Sequence, residues 1–408
     1  MKISVLKETS SNELRVPLTP LAVGMILKKG HEIFITSNAG ARSGFSNEEY
    51  QKFGATIVRD NIEAIRISKI ILKVGDLIQD EINELREYHY FLSFLHLVNK
   101  PYYATQLAKS KCTAIGFESI QDKSGKYPIL SPMSKMAGRL AVGLAMRLLS
   151  DVKVGKGVLL GSLPTTGRAK VIVLGAGNAG MEVAKICSDL GCRVKVFDIN
   201  LNKLDHLADQ KTNIEAFYPY PQFIEEHLLD ADVVFGCLHS KLQQTGILVF
   251  EETVKKMQKG SVIIDLSANR GGCIETSKPQ DNQSGMYIQH GILHHSPRNI
   301  LGTIPKSASN ILSTTLLPVA LKLATFGHKK ERGIFEAIQI SNGEIVNNYD
   351  IEFSNIDDNM DYDSPFDMLS EEVGLGWREV DEINTKIDAI RDEDNLLEFL
   401  EIGDINAN

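Results

Sequence analysis

At 408 residues the chain exceeds one ordinary hydrophobic core and suits two domains with an extra segment. Its 43% apolar and 24% charged residues are those of a soluble globular protein. No run of about 18 apolar residues offers a membrane span, and the polar start MKISVLKETSSNELR lacks the apolar stretch of a secretory leader. The net charge of −8 conceals an asymmetry: 22 acidic against 4 basic residues from Glu331 onward give −18 there and leave +10 before it. A positive body tolerates anionic small molecules and an acidic end repels nucleic acid. The basic residues are dispersed rather than gathered into a stripe, so no nucleic-acid partner is expected. The cysteines Cys112, Cys187, Cys192, Cys237 and Cys273 are odd in number and form no CxxC pair. They suit a reducing cytoplasm better than a disulfide framework or a zinc site, and no metal is expected.

Along the chain, KISVL, HEIFIT, ATIV, KIILKV and YFLSFLHL are short β-rich runs separated by helix-like pieces such as LTPLAVGMILKKG and NEEYQKFG. That alternation predicts a parallel sheet flanked by helices. Ser134 to Leu149 carries small and apolar residues at helical spacing without proline, and is read as a long helix linking two domains. KVIVLGAGNAGMEVAKICSDLGCRVKVFDIN then reads as buried strand, glycine turn, amphipathic helix and second strand. DADVVFGCL, GSVIIDLS and YIQHGIL continue the strand series, and NILSTTLLPVALKLATFG is read as a helix that packs back on the first domain. From about Ser354 dense acid replaces periodicity, and a flexible extension is expected, with a late amphipathic helix over EVDEINTKIDAIRDEDNLLEFLEI. The predicted fold is α/β: two Rossmann-like doubly wound domains with parallel sheets, separated by a cleft and joined by long helices. The expected division is a substrate domain over 1–133, completed by about 304–355, a dinucleotide domain over 134–303, and an acidic extension over 356–408.

Gly175-Ala176-Gly177-Asn178-Ala179-Gly180 follows the apolar strand KVIVL and opens a helix. Gly175 permits a tight turn, Gly177 lets backbone approach a pyrophosphate, and Gly180 allows close helix–strand packing. Free N–H groups at the helix start hold phosphates. Asp198 ends the next strand, placed to accept from both ribose hydroxyls and to repel a 2′-phosphate, so NAD is expected rather than NADP. GxGxxG alone is a weak signal; here the strand, the helix and the acid all fall where the motif needs them.

Periodicity alone selects no catalytic residue in the first domain. The passages MKISVLKETSSNELRVPLTP, GHEIFITSNAGARSGFSNEEYQKFGATIV, ILKV, FLHL and SPMSKMAGRLAVG resemble the alanine dehydrogenase family in order and spacing. So do KVIVLGAGNAGMEVAKI, VFDIN, VIIDLSANRGGCIETS and NILGTIPKSASNILSTTLLP, and the resemblance spans about residues 1–350. It implies a reversible, NAD-dependent oxidative deamination of L-alanine to pyruvate and ammonia, and a homo-oligomer, commonly a hexamer. It also implies that Arg15 grips the substrate carboxylate through its planar fork. Lys73 would bind the oxo or amino end and help hold the carboxylate, and His96 would shuttle the proton as carbinolamine forms and collapses. Met133 and Ser134 resemble residues lining the pocket near the nicotinamide. On the residues alone, Arg15 also suits a surface ion pair, Lys73 a solvated strand end and His96 a satisfied core histidine.

The resemblance breaks at one catalytic position. Where the family continues its strand into a second aspartate before paired glycines, this chain reads Ile264-Asp265-Leu266-Ser267-Ala268-Asn269-Arg270-Gly271-Gly272. Asn269 keeps the size and the hydrogen-bonding capacity of that residue but not its charge. The loop after Cys237 also departs, reading His239-Ser240-Lys241-Leu242-Gln243-Gln244, and the family's Asn-Met-Pro is Asn299-Ile300-Leu301. Asn299 is retained and is expected to face the nicotinamide. A second relative, the NAD-binding subunit of proton-translocating transhydrogenase, shares the fold and also lacks the aspartate. It leaves open a related oxidoreductase on another amino or oxo acid, or a nucleotide-binding protein with little turnover.

Overall fold

The computed structural model describes residues 1–238, 246–281 and 285–346. The strands are β1 (Lys2–Val5), β2 (Glu32–Thr36), β3 (Thr56–Val58), β4 (Ile70–Leu72), β5 (Tyr90–Ser93), β6 (Thr113–Gly116), β7 (Ser162–Leu163), β8 (Gly167–Arg168) and β9 (Lys170–Leu174). They continue with β10 (Arg193–Phe197), β11 (Ile214–Phe217), β12 (Val233–Gly236), β13 (Val262–Asp265), β14 (Tyr287–Gln289), β15 (Ile292–His295), β16 (Ile338–Ser341) and β17 (Glu344–Ile345). One sheet has the order β17-β16-β6-β5-β4-β1-β2-β3, a second has β11-β10-β9-β12-β13-β15-β14, and β7–β8 is a separate hairpin.

Both large sheets reverse their winding in the middle. In the first, β2 and β3 lie on one side of β1 and β4 to β6 on the other; in the second, β10 and β11 flank β9 opposite β12 and β13. Such reversals open a crevice at the carboxyl ends of the strands, where loops diverge to opposite faces. Continuous apolar strands such as KVIVL and VIID are buried on both faces because helices cover both sides. Leu6, Ile71, Phe91 and Ala114 anchor a core against the first sheet, and Ile172, Leu174, Val234 and Ile263 one against the second.

The expected α/β architecture is observed, with local differences from the sequence reading. The linking helix spans Leu130–Leu149 and so starts four residues before Ser134; Pro132 falls in its first turn, where no N–H partner is needed. YIQHGIL is not one parallel strand but the hairpin β14–β15, whose edge strand runs antiparallel. His290 and Gly291 both have positive φ, 55° and 80°, which a two-residue loop matched to strand twist requires. The first sheet likewise gains antiparallel strands at one edge, β16 and β17. The loop His239–Gln244 and the acidic extension with its expected late helix lie outside the described residues. Asp122–Gly125 separates from the main compact unit and is a turn in which Ser124 N and Oγ donate to Asp122 Oδ1 at 2.9 and 2.7 Å.

The helix Pro305–Phe326 returns to the first sheet's lobe, as its sequence suggested, packing on the helix Pro20–Lys28. Its serines replace backbone partners that the irregular segment after Arg15 lacks: Val16 N donates to Ser309 Oγ and Thr19 N to Ser313 Oγ, both at 2.9 Å. Ser309 Oγ also lies 2.9 Å from Ser43 Oγ. Ser309→Ala would leave the buried Val16 N–H unpaired, at a cost of about 1–3 kcal/mol. Denaturant unfolding should show that loss, and a change under about 0.5 kcal/mol would mean water or movement repairs it.

Candidate active site

Four strands of the first sheet each deliver an ionisable side chain just past their carboxyl ends. Glu8, Glu13 and Arg15 follow β1, Lys73 follows β4, His96 follows β5 and Glu118 follows β6. The positions are far apart in sequence and adjacent in space because β6-β5-β4-β1 are neighbours in that order.

Arg15 is 8% exposed, and its Nε and Nη2 donate to Glu13 Oε1 and Oε2 at 2.8 and 2.6 Å. Burial works against the guanidinium charge, but the Glu13 charge and hydrogen bonds outweigh it and hold the pKa above its ordinary value. Nη1 points at Met133 Sδ, 3.9 Å away, and the guanidinium lies 5.4 Å from the Phe94 ring centre. Phe94 in turn stacks on His96 with ring centres 6.1 Å apart.

Lys73 is fully buried and ion-paired, its Nζ 2.7 Å from Glu81 Oε2 and 3.3 Å from Thr9 Oγ1. Glu81 Oε2 also accepts from Ile78 N at 3.0 Å, and its other oxygen accepts from Asn61 Nδ2. His96 adopts φ 45°, which turns the chain sharply after β5. Its backbone N donates to Glu118 Oε1 at 2.7 Å, and Nδ1 lies 3.6 Å from the same oxygen.

Glu8 accepts from Val74 N at 2.6 Å and Gly75 N at 3.2 Å. Its carboxyl is pushed up to about 7, first by burial and then by the Glu13 charge, against the pull of Lys73 and the two amides. The acids Glu8, Glu13, Glu81 and Glu118 were missed from sequence. Their only signal was a charge standing beside an apolar run, as in KET, NEL and GFES.

In the second lobe the glycine turn has the geometry that its residue types require. Gly175 has φ 103°. A Cβ on Gly180 would stand 1.8 Å from Gly175 O, whereas one on Gly177 would meet nothing nearer than Cys237 O at 4.0 Å. Gly177 caps the helix Asn178–Asp189, leaving space above its first amides. Asp198 Oδ2 accepts from Ala176 N at 2.6 Å and Oδ1 from Asn200 N at 2.8 Å, which ties the acid to the turn and leaves lone pairs for ribose hydroxyls. These features fit NAD. The linking helix closes on the turn: Asn178 Nδ2 donates to Ser131 Oγ at 3.1 Å, and a Cβ on Gly138 would stand 2.6 Å from Ala179 O. Ser134, half-buried, lies between Ser131 and Gly138 on that helix.

Asn269 sits exposed in the turn after β13, its Nδ2 donating to Arg298 O at 3.1 Å. Asn299, one residue beyond Arg298, sends Nδ2 to Asn12 O and to Glu13 Oε2, both at 2.9 Å, and accepts from Gly302 N at 3.1 Å. Contacts therefore run unbroken from Asn269 through the Arg298–Asn299 loop to Glu13, Arg15, Phe94 and His96.

Two crevices of this kind, one lined by paired cations and carboxylates and one by a dinucleotide turn, define a two-lobed dehydrogenase-type fold. The family models named Alanine dehydrogenase/PNT match this chain with their N-terminal domain over residues 4–137 and their C-terminal domain over 141–348. The chain belongs to that family. It is 31% identical to the alanine dehydrogenase of Staphylococcus epidermidis over 88% of its own length and 99% of that protein. A solved L-alanine dehydrogenase matches with a TM-score of 0.79 at 32% identity, covering 85% of this chain and 97% of the other. A transhydrogenase structure from Sinorhizobium meliloti shares the fold, with a TM-score of 0.72 at 22% identity over 85% of this chain and 99% of the other.

Two measurements check this geometry. Gly177→Ala should unfold like the unmodified protein yet bind NADH at least tenfold more weakly, whereas Gly180→Ala should lose both stability and binding. Isothermal calorimetry beside thermal unfolding separates the two. Glu8 is easier to protonate folded than unfolded, so its contribution to stability is full below about pH 4.5 and is lost as pH rises through about 7. Glu8→Gln should flatten the fall in unfolding free energy across that window by up to about 1.4 kcal/mol per pH unit.

Proposed function

We propose that the protein is an NAD-dependent amino-acid dehydrogenase that interconverts L-alanine with pyruvate and ammonia. The observation that carries this reading is the grouping of Arg15, Lys73 and His96, each with its own carboxylate, at the carboxyl ends of adjacent strands. NAD, held by Gly175, Gly177, Asn178, Ala179, Gly180 and Asp198 with Ser134 beside them, supplies the hydride acceptor when bound.

The chain's own residues supply binding and proton transfer. Arg15 receives the substrate carboxylate on the edge that Glu13 leaves open. Lys73 exchanges its long 3.3 Å contact with Thr9 for a substrate oxygen while keeping Glu81. Loss of the α-hydride leaves an iminium; water adds to its carbon as His96 takes a proton, His96 returns that proton to nitrogen, and it then takes the hydroxyl proton as the C–N bond breaks, giving the oxo acid and ammonia. Glu118 supports the imidazolium through this exchange, a service that the neutral Asn269 cannot render. Among the described residues no helix is long and apolar enough to cross a membrane. All five cysteines are buried free thiols. A cytoplasmic homo-oligomer, a hexamer, is part of the proposal, and light scattering tests the assembly.

One observation favours a second reading, a related oxidoreductase on a different amino or oxo acid or a nucleotide-binding protein with little turnover. Asn269 is bonded to the Arg298 carbonyl rather than carrying charge. NADH oxidation with ammonia against a panel of oxo acids separates these readings.

His96→Ala should lower kcat for the preferred oxo acid by about a hundredfold or more; unchanged turnover would remove the histidine from the mechanism. Asn269→Asp should raise alanine turnover severalfold while lowering thermal stability, because a carboxylate meets the Arg298 carbonyl where an amide now donates. An absence of gain would mean that residue 269 no longer takes part in the chemistry.

A further inference from the structure

We infer that Glu13 is a positioning residue that couples contact between the two lobes to the orientation of Arg15. A guanidinium carries five N–H groups in a fixed plane, with a side edge formed by Nε and Nη2 and an end edge formed by Nη1 and Nη2. Glu13 occupies the whole side edge, with Oε1 and Oε2 at 2.8 and 2.6 Å. Only the end edge, now facing Met133 Sδ, remains for a second carboxylate. Arg15 therefore cannot grip its substrate by whichever edge is nearer. Glu13 selects the edge, and with it the direction from which the acid approaches.

Glu13 Oε2 also accepts from Asn299 Nδ2 at 2.9 Å, and Asn299 belongs to the loop after β15 in the other lobe. One oxygen thus serves the substrate arginine and the opposite lobe together. Two further crossing contacts, Asn299 Nδ2 to Asn12 O at 2.9 Å and Asn12 Nδ2 to Asp281 Oδ1 at 3.1 Å, lie beside it. The backbone under Glu13 is fixed separately. Arg42 Nη2 donates to Ser10 O at 2.6 Å and to Glu13 O, and Ser43 Oγ donates to Leu14 O at 2.7 Å. Withdrawing Asn299 removes its donations to Glu13 Oε2 and Asn12 O, while Arg42 and Ser43 still hold the backbone carbonyls of Ser10, Glu13 and Leu14; the Glu13 carboxylate loses a partner that fixes its orientation, and the guanidinium turns with it. The substrate cation is aligned only when the lobes meet. This inference rests on the proposed dehydrogenase reading for its substrate, but the latch itself is a property of the fold.

The test uses Asn299→Asp, which keeps an oxygen for Gly302 N but sets a carboxylate against Glu13, together with Glu13→Gln, which places an N–H donor against the donors of Arg15 and Asn299. With pyruvate, ammonium and NADH, each variant should raise the KM for pyruvate about tenfold and leave the KM for NADH within twofold. The double variant should be no worse than the poorer single one. Hydrogen exchange of the 12–16 amides, read by mass spectrometry, should quicken severalfold in Asn299→Asp because Arg15 N donates to Glu13 Oε1 at 3.0 Å. Unchanged exchange in 12–16, additive KM effects or a selective rise in the KM for NADH overturns the coupling. If the unmodified protein turns over no oxo acid, the proposed activity falls, and the exchange result alone upholds or rejects the latch.

Discussion

Burying an arginine keeps its charge only if a partner is buried with it, because desolvation of an isolated ion in a protein interior costs several kcal/mol. Arg15 meets that condition through Glu13, Lys73 through Glu81, and His96 faces Glu118. Each pairing also fixes direction: a carboxylate that takes one edge of a guanidinium, or one proton of an ammonium, decides which remains for a ligand. The fully buried Lys73 and nearly buried Arg15 are therefore pre-oriented rather than merely charged. Glu8, the surplus acid, has its carboxyl pushed up to about 7 by burial and by the Glu13 charge.

The same economy of position appears at the dinucleotide turn. Gly180 is required by the 1.8 Å approach of Gly175 O, whereas the space above Gly177 is open. Two glycines of one motif thus do different things, one allowing close packing and one leaving space at the helix start. Asp198, at the end of the next strand, holds the Ala176 amide of the same turn. The linking helix brings Ser131, Met133, Ser134 and Gly138 along a few turns, so that one element touches Arg15 at Met133 and the nucleotide turn at Ser131 and Gly138.

At residue 269 the turn after β13 presents a neutral amide rather than a charge. Asn269 now ties its turn to Arg298 O, and the next residue, Asn299, reaches Glu13. The second lobe thereby reaches the Glu13 carboxylate through a neutral amide, while Arg15, Lys73 and His96 stand on the loops after β1, β4 and β5.

The α/β class, the dinucleotide turn and its acid were legible from residues alone because they are local: strand, turn and helix adjoin within about thirty positions, and each glycine answers a nearby backbone demand. Arg15, Lys73 and His96 were singled out only through resemblance, since a charged residue beside an apolar run looks the same whether it caps a strand or serves a site; the structure gathers the three on adjacent strand ends. Their carboxylate partners were not legible at all. Which acid meets which cation depends on β6-β5-β4-β1 lying side by side and on Asn299 crossing from the other lobe. The hairpin at His290-Gly291 was likewise hidden, because the sign of φ at two residues, not their hydrophobic pattern, turned one apparent strand into two. Sequence determined the elements and the local turn chemistry. Only tertiary structure decided the ion pairs, because side chains distant in the chain become partners through strand order, and strand order is set by how whole lobes bury their apolar faces.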